Sequence, residues 1–131
     1  MKKMMRNVMH SFVEQAEARI ARELSEFEIY PGEIPYINVG AIVGRAMDFL
    51  RVNKVPIRGY VIDIHVLLVH TRSPNDDVSM KIDIGAHSSR TDQEKSLRDA
   101  IARFEAQYGS ITKQEIVHKV QFLYDESQIS D

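Results

Sequence analysis

The sequence contains no cysteine. Disulfide bonds, thiolate catalysis and cysteine-based zinc sites are therefore excluded, which suits a cytoplasmic protein. No stretch approaches the roughly 18 apolar residues of a membrane-spanning helix. The basic start, MKKMMRNVMHSF, is interrupted by polar residues before the apolar core of a signal peptide could form. We therefore expect a protein that is neither secreted nor membrane-bound.

The sequence also has little excess of either charge. Seventeen Lys and Arg residues stand against 19 Asp and Glu residues, which leaves a formal net charge of -2. A protein that grips phosphate backbones needs clustered positive charge, so nucleic-acid binding is disfavoured. The 131 residues, 44% hydrophobic and 27% charged, have the length and composition of one globular domain. We predict a single domain over residues 1–131, with residues 124–131 as a flexible tail.

Two segments have the three- and four-residue spacing of apolar positions that is typical of amphipathic helices. The first covers residues 4–27 and ends before the Tyr-Pro-Gly sequence at 30–32, because proline and the residue before it disfavour helix. The second lies in SSRTDQEKSLRDAIARFEAQYG. There, Thr91 and Glu94 predict a capping box and Gly109 fits the position just after a helix.

Residues 34–52 allow two interpretations. IPYINV alternates like a strand, whereas VGAIVGRAMDFLRV places its apolar residues on one helical stripe. Asn38 could cap such a helix, but Gly40 and Gly44 would each cost it about 1 kcal/mol relative to alanine. We favour a strand through residues 37–39, followed by a helical or irregular segment.

Three further segments have the composition of strands. Residues 60–71, YVIDIHVLLVHT, and residues 78–86 flank SPNDD, whose turn-forming residues predict a hairpin. Residues 116–124 alternate like a last strand. The first strand of the hairpin is the most hydrophobic, so we place it in the middle of the sheet. The predicted fold class is α+β, a small, mainly antiparallel sheet with helices packed on one face.

Polar residues within the hairpin are the strongest candidates for a chemical site. If the turn centres near Asn75, the alternation of side chains brings five of them to one face of the sheet: Asp63, His65, Lys81, Asp83 and His87. Two carboxylates with imidazoles could hold a divalent ion that activates water. The set lies mid-strand, however, whereas sites usually collect at strand ends and loops. We interpret it as a solvated face and predict no enzyme, no metal site and no cofactor.

Two loop regions carry the polar residues that we predict to contact other chains. One is a local basic stretch, which could meet nucleic acid or an acidic protein surface, although a solvated loop is the simpler interpretation. The other is the turn of the hairpin. Charged loops of this kind can become ordered at contacts between chains. The interface candidates are Arg45, Arg51, Lys54, Arg58, Asn75, Asp76 and Asp77.

The layout of the chain resembles that of the tail-terminator, or tail-completion, proteins of long-tailed bacteriophages. The likeness consists of a long N-terminal helix, IYPGEIPYINV, a loop, the strand GYVIDIHVLLV, a helix and the closing strand VHKVQFLYDES. Residues 39–52 depart from the pattern, because they look more helical than the extended hairpin arm of that family.

The resemblance implies a structural protein without catalysis. Members of the family form a ring, typically of six copies, that caps the tail tube and faces the head connector. The expected location is the virion or the host cytoplasm. The expected partners are the chain itself and other virion or host proteins, with no small-molecule substrate, no membrane, and no nucleic acid except DNA passing through a ring.

Two other classes stay open beside a terminator or a related head-tail joining component. The first is a small host-directed inhibitor or adaptor module that acts by protein-protein binding. The second is a metal-dependent enzyme that would use part of the polar hairpin set, namely Asp63, His65, Asp83 and His87.

Overall fold

The computed structural model describes residues 2–87 and 89–128. In chain order it contains helix α1 (Lys2–Ser25), helix α2 (Val39–Val52), strand β1 (Ile57–Ser73), strand β2 (Asp76–Asp83), helix α3 (Arg90–Tyr108), strand β3 (Lys113–Tyr124) and a short 3₁₀ helix (Glu126–Gln128). The strands form one antiparallel sheet in the order β2-β1-β3. The predicted α+β class and the central position of β1 are therefore confirmed.

The chain divides into two compact units. The first comprises Met1–Glu26, Gly40–Ile62 and Lys119–Asp131, and the second comprises Phe27–Val39 and Asp63–His118. Strands β1 and β3 each contribute residues to both. The single domain and the flexible tail stay predictions, and residues 129–131 of that tail lie outside the described part of the chain.

In the first unit, α1 and α2 contact each other through their apolar sides. The rings of Phe12 and Phe49 meet edge to face with their centroids 6.0 Å apart, and the Arg19 guanidinium lies 4.3 Å from the centre of the Phe49 ring. The predicted stripe of α1 is confirmed as far as Leu24, while Phe27 lies beyond the helix end and is exposed. The buried members are Met9, Val13, Ala16, Ile20 and Leu24.

The strand predicted for residues 37–39 is wrong. Residue 39 is the first of α2, and the residues before it belong to no strand. Burial of Ile42, Ala46 and Leu50 on one side of α2 outweighs the propensity cost of its glycines, because tertiary packing routinely overrides helix propensity. The helix stands where the tail-terminator pattern has an extended arm.

In the second unit, β1 and β2 form the predicted hairpin. Leu68 lies opposite Met80, and the register shifts by one residue beside the turn, between Thr71 and Ser73. Helix α3 packs against β2. The side chains of β1 that are fully buried alternate along the strand, which is the pattern of a sheet with one covered face. They belong to Ile64, Val66 and Leu68.

The capping box predicted at Thr91 and Glu94 is also wrong. The N-cap of α3 is Ser89, whose hydroxyl accepts a hydrogen bond from the Asp92 N–H at 3.0 Å. Both Ser89 and Thr91 are good N-cap residue types, so the sequence offered two starts two residues apart. The end of the helix is confirmed at Gly109, where φ is 114°.

Candidate protein interface

Of the five polar residues predicted to share one face of the hairpin, two lie directly opposite each other. His65 lies opposite Asp83 across the two strands, as the alternation predicted. The Ile84 N–H donates to the Ile64 C=O at 3.0 Å. The next pair along, His65 and Asp83, is therefore a non-hydrogen-bonded pair, the kind in which opposite side chains lie closer together.

These residues are not arranged as a metal site. Within residues 2–87 and 89–128, no three His, Asp or Glu side chains are grouped so that they could hold a metal ion. Asp83 has a local partner instead, because its Oδ1 accepts a hydrogen bond from the Gly85 N–H at 2.9 Å. The four residues of the metal-enzyme hypothesis thus do not form the ligand set that this chemistry requires.

The predicted basic stretch contains two residues that are already paired. Arg45 makes two hydrogen bonds to Glu23 of α1, from Nε to Oε1 at 3.0 Å and from Nη2 to Oε2 at 2.7 Å. Hydrogen bonding by the Arg45 side chain holds the pKa of Glu23 below its ordinary value of 4.5, against the opposing effect of partial burial. Arg51 Nη1 lies 2.5 Å from Asp48 Oδ1 on the same helix. Both guanidinium groups therefore have an acidic partner within the chain, although each keeps N–H donors that these bonds do not use.

The other two basic residues, Lys54 and Arg58, are exposed. Neither takes part in any ion pair of the described residues. Lys54 occupies the left-handed region with φ of 56°, and its N–H donates to the Arg51 C=O at 3.0 Å. Its backbone is therefore fixed by the turn that ends α2, while its ammonium group stays in solvent.

The acidic candidates lie at the tip of the hairpin. Every residue from 71 to 77 is exposed. Ser73 pairs with Asp76 across the turn, so Asn75 lies within the two-residue loop and both aspartates lie on the β2 side. Asp76 and Asp77 also have no ion-pair partner in the part of the chain that the structure describes.

A groove in the first unit was not predicted. It has a volume of about 540 Å³ and lies between α1, the start of β1 and residues 121–127. Glu17 of α1 lines it, and its Oε2 accepts a hydrogen bond from the Phe122 N–H at 3.1 Å. Glu17 lies outside the apolar stripe of α1, and a contact 105 residues away along the chain leaves no local signal in the sequence.

Comparison of the chain with protein-family models, with curated proteins and with solved structures gave no match. The tail-terminator resemblance therefore rests on the layout of the sequence. Among the helices of residues 2–87 and 89–128, none has both the length and the apolar character needed to cross a membrane.

Proposed function

We propose that the chain is a non-enzymatic phage structural protein, a tail terminator or head-tail joining component whose copies form a ring. One observation carries the proposal. Two small charged patches of opposite sign are exposed and have no ion pair within the described chain. By the basic patch we mean Lys54 and Arg58, four residues apart along the chain, and by the acidic patch Asp76 and Asp77 at the hairpin tip, which also carries the exposed Arg72.

Patches of opposite charge favour a contact between unlike surfaces of two copies. Such a head-to-tail contact repeats from copy to copy, and it closes into a ring when the rotation between neighbours allows it. Complementary charges of this kind fix the orientation of the partners and speed their encounter. A ring that caps a tube requires this type of contact, because all its copies must face the tube alike.

Both patches are carried by fixed backbone. Lys54 lies in a hydrogen-bonded turn, and Asp77 pairs with Thr71 in the hairpin ladder. A fixed backbone reduces the ordering entropy that binding costs.

The test is the mass of the assembly, measured by sedimentation velocity with and without isolated tail tubes of long-tailed phages. We expect six copies per ring, visible by negative-stain electron microscopy. The variants Lys54→Glu/Arg58→Glu and Asp76→Lys/Asp77→Lys should each abolish the ring, since they bring like charges together. The variant that carries all four changes should restore it, because the charges are exchanged.

The matched control is Asp99→Lys/Glu105→Lys, which reverses two exposed acidic residues of α3. It should assemble like the unaltered chain. A single-copy mass under all conditions would contradict the proposal, as would normal rings in both charge-reversed variants. A tight complex of one copy with one host protein, without a ring, would support the inhibitor or adaptor class instead.

A further inference from the structure

Among the strands of residues 2–87 and 89–128, none lies beside the outer edge of β2. Strand β2 is at one end of the sheet. Because the Ile84 N–H points to β1, the backbone groups of even-numbered β2 residues face β1 and those of odd-numbered residues face outward. No backbone or side-chain hydrogen bond of the described residues reaches this outward row. The row belongs to Asp77, Ser79, Lys81 and Asp83.

The opposite edge of the sheet is partly covered. In the first unit, the Phe122 N–H of β3 donates to the Glu17 carboxylate. In the second unit, the buried Gln114 of β3 accepts from the Gly32 N–H at 3.0 Å and donates to the Glu33 C=O at 2.7 Å. Gln114 makes these bonds with its side-chain amide, so only the Phe122 N–H is a backbone group of β3 bound by its own chain in this way, whereas β2 has no such bond along its outward row. An open edge strand is a template for another strand.

We propose that β2 pairs with β2 of a second copy, antiparallel and about a two-fold axis at Ser79. In this register Ser79 faces its own counterpart, and Asp77 faces Lys81 of the other copy. The two-fold axis produces that ion pair twice. All outward backbone groups from residue 77 to residue 81 then form ladder hydrogen bonds, and opposite charges lie on the same side of the joined sheet.

Charge selects this register over its nearest competitor. An antiparallel pairing that uses seven of the eight residues of β2 can be centred on Ser79, with residues 76–82, or on Met80, with residues 77–83. Centring on Met80 places Asp77 opposite Asp83 twice, and like charges directly opposite each other are destabilising. The charges of the outward row, Asp77, Lys81 and Asp83, thus disfavour the register centred on Met80 and favour the one centred on Ser79.

This dimer goes beyond the proposed ring. A two-fold contact uses the same surface on both copies and closes on itself, so it cannot generate the head-to-tail ring. Pairing along one short strand buries less surface than a standard stable interface, and we expect a weak dimer whose fraction rises with protein concentration. Lys54 and Arg58 take no part in it, whereas Asp77 belongs to both contacts, so changes at Asp77 do not distinguish the dimer from the ring.

The decisive variant is Ser79→Pro, examined by sedimentation velocity over a concentration series. Proline removes the outward N–H and no bond to β1, and edge strands accept proline at such a position. We expect the dissociation constant of the dimer to rise by about tenfold or more. Ser79→Ala keeps the N–H and should dimerise like the unaltered chain. Circular dichroism confirms that each variant is folded.

A second variant tests the register without altering the backbone. Lys81→Asp brings two aspartates together and should weaken the dimer, whereas Asp77→Lys/Lys81→Asp exchanges the charges and should restore it. In a mixture of isotopically light and heavy protein, carbodiimide should link Asp77 of one copy to Lys81 of the other, as read by mass spectrometry.

Three results would overturn the pairing: a monomer at every concentration, a Ser79→Pro dimer as tight as that of the unaltered chain, or links between copies that avoid β2. The outcome is separable from the ring. Lys54→Glu/Arg58→Glu should lose the ring and keep the dimer, and Ser79→Pro and Lys81→Asp leave both charged patches of the ring contact intact.

Discussion

Gln93 binds Ile37 with both ends of its side-chain amide. Its Oε1 accepts a hydrogen bond from the Ile37 N–H at 2.7 Å, and its Nε2 donates to the Ile37 C=O at 3.0 Å. Both residues are buried, at 0% and 1% exposure. A buried peptide group needs partners for its donor and its acceptor, and a strand would normally supply them. Gln93 supplies the acceptor for the N–H, and Gln93 and the Val39 N–H at 3.0 Å both donate to the C=O, so Ile37 is buried without belonging to the sheet.

Replacing Gln93 with leucine should therefore destabilise the fold. Leucine fills a similar volume but leaves the Ile37 N–H buried without a partner, which costs about 1–3 kcal/mol, whereas the Ile37 C=O keeps the hydrogen bond from the Val39 N–H at 3.0 Å. We expect the free energy of unfolding, measured by urea denaturation, to fall by about 1–3 kcal/mol.

The matched control is Gln107→Leu, since Gln107 is an exposed glutamine on the same helix. Its effect should stay within about 0.5 kcal/mol, as for most surface substitutions. Equal stabilities of the two variants would show that the amide contacts of Gln93 do not contribute to the fold.

The same contact explains what the sequence could and could not predict. The hydrophobic periods of α1, α3 and the hairpin are local, so those elements were predicted correctly. IPYINV alternates like a strand, but Ile37 is held by a residue 56 positions away. Gln93 does stand four residues before Leu97 on the buried side of α3, and a polar residue in that stripe was the available signal. Which charges form ion pairs within the chain depends on tertiary structure. The sequence therefore could not show that Arg45 has an ion-pair partner among the described residues and that Arg58 has none.

The start of α3 gives a direct test between two capping residues. Ser89→Ala removes the hydroxyl that accepts from the Asp92 N–H, so it should lower the free energy of unfolding by about 1 kcal/mol. Thr91→Ala, inside the first turn, should change it by less than about 0.5 kcal/mol. Chemical denaturation of both variants measures the difference. A larger loss for Thr91→Ala would place the cap two residues further on.

Two glycines should respond to alanine in opposite directions. Gly44 lies within α2, and a Cβ there would meet nothing within 4 Å, so Gly44→Ala should stabilise by about 0.5–1 kcal/mol. Gly109 has φ of 114°, and a Cβ there would lie 3.0 Å from His70 Cε1. The His70 ring is held by a hydrogen bond from Nδ1 to the Ser110 C=O at 2.6 Å and cannot easily move aside.

Gly109→Ala should therefore destabilise by about 1–3 kcal/mol. Thermal unfolding of both glycine variants, followed by circular dichroism, gives the two signs in one experiment. A stabilising Gly109→Ala would show that the end of α3 does not require the positive φ. A destabilising Gly44→Ala would show that α2 is more tightly packed at this position than the structure has it.

The ion pair of Glu23 with Arg45 should make stability depend on acidic pH. The hydrogen bond from Arg45 lowers the pKa of Glu23 in the folded chain below its ordinary value of 4.5. A carboxylate with a lowered folded pKa contributes stability above its unfolded pKa, and this contribution is lost as the pH falls through the folded pKa.

Urea denaturation across that range should show Glu23→Gln less stable than the unaltered chain near neutral pH, with the difference shrinking below about pH 4.5. Glu28→Gln, which removes an exposed carboxylate outside the ion pairs of the described residues, should show no such convergence. A gap between Glu23→Gln and the unaltered chain that stayed constant down to the most acidic samples would mean that the pair does not couple protonation to folding.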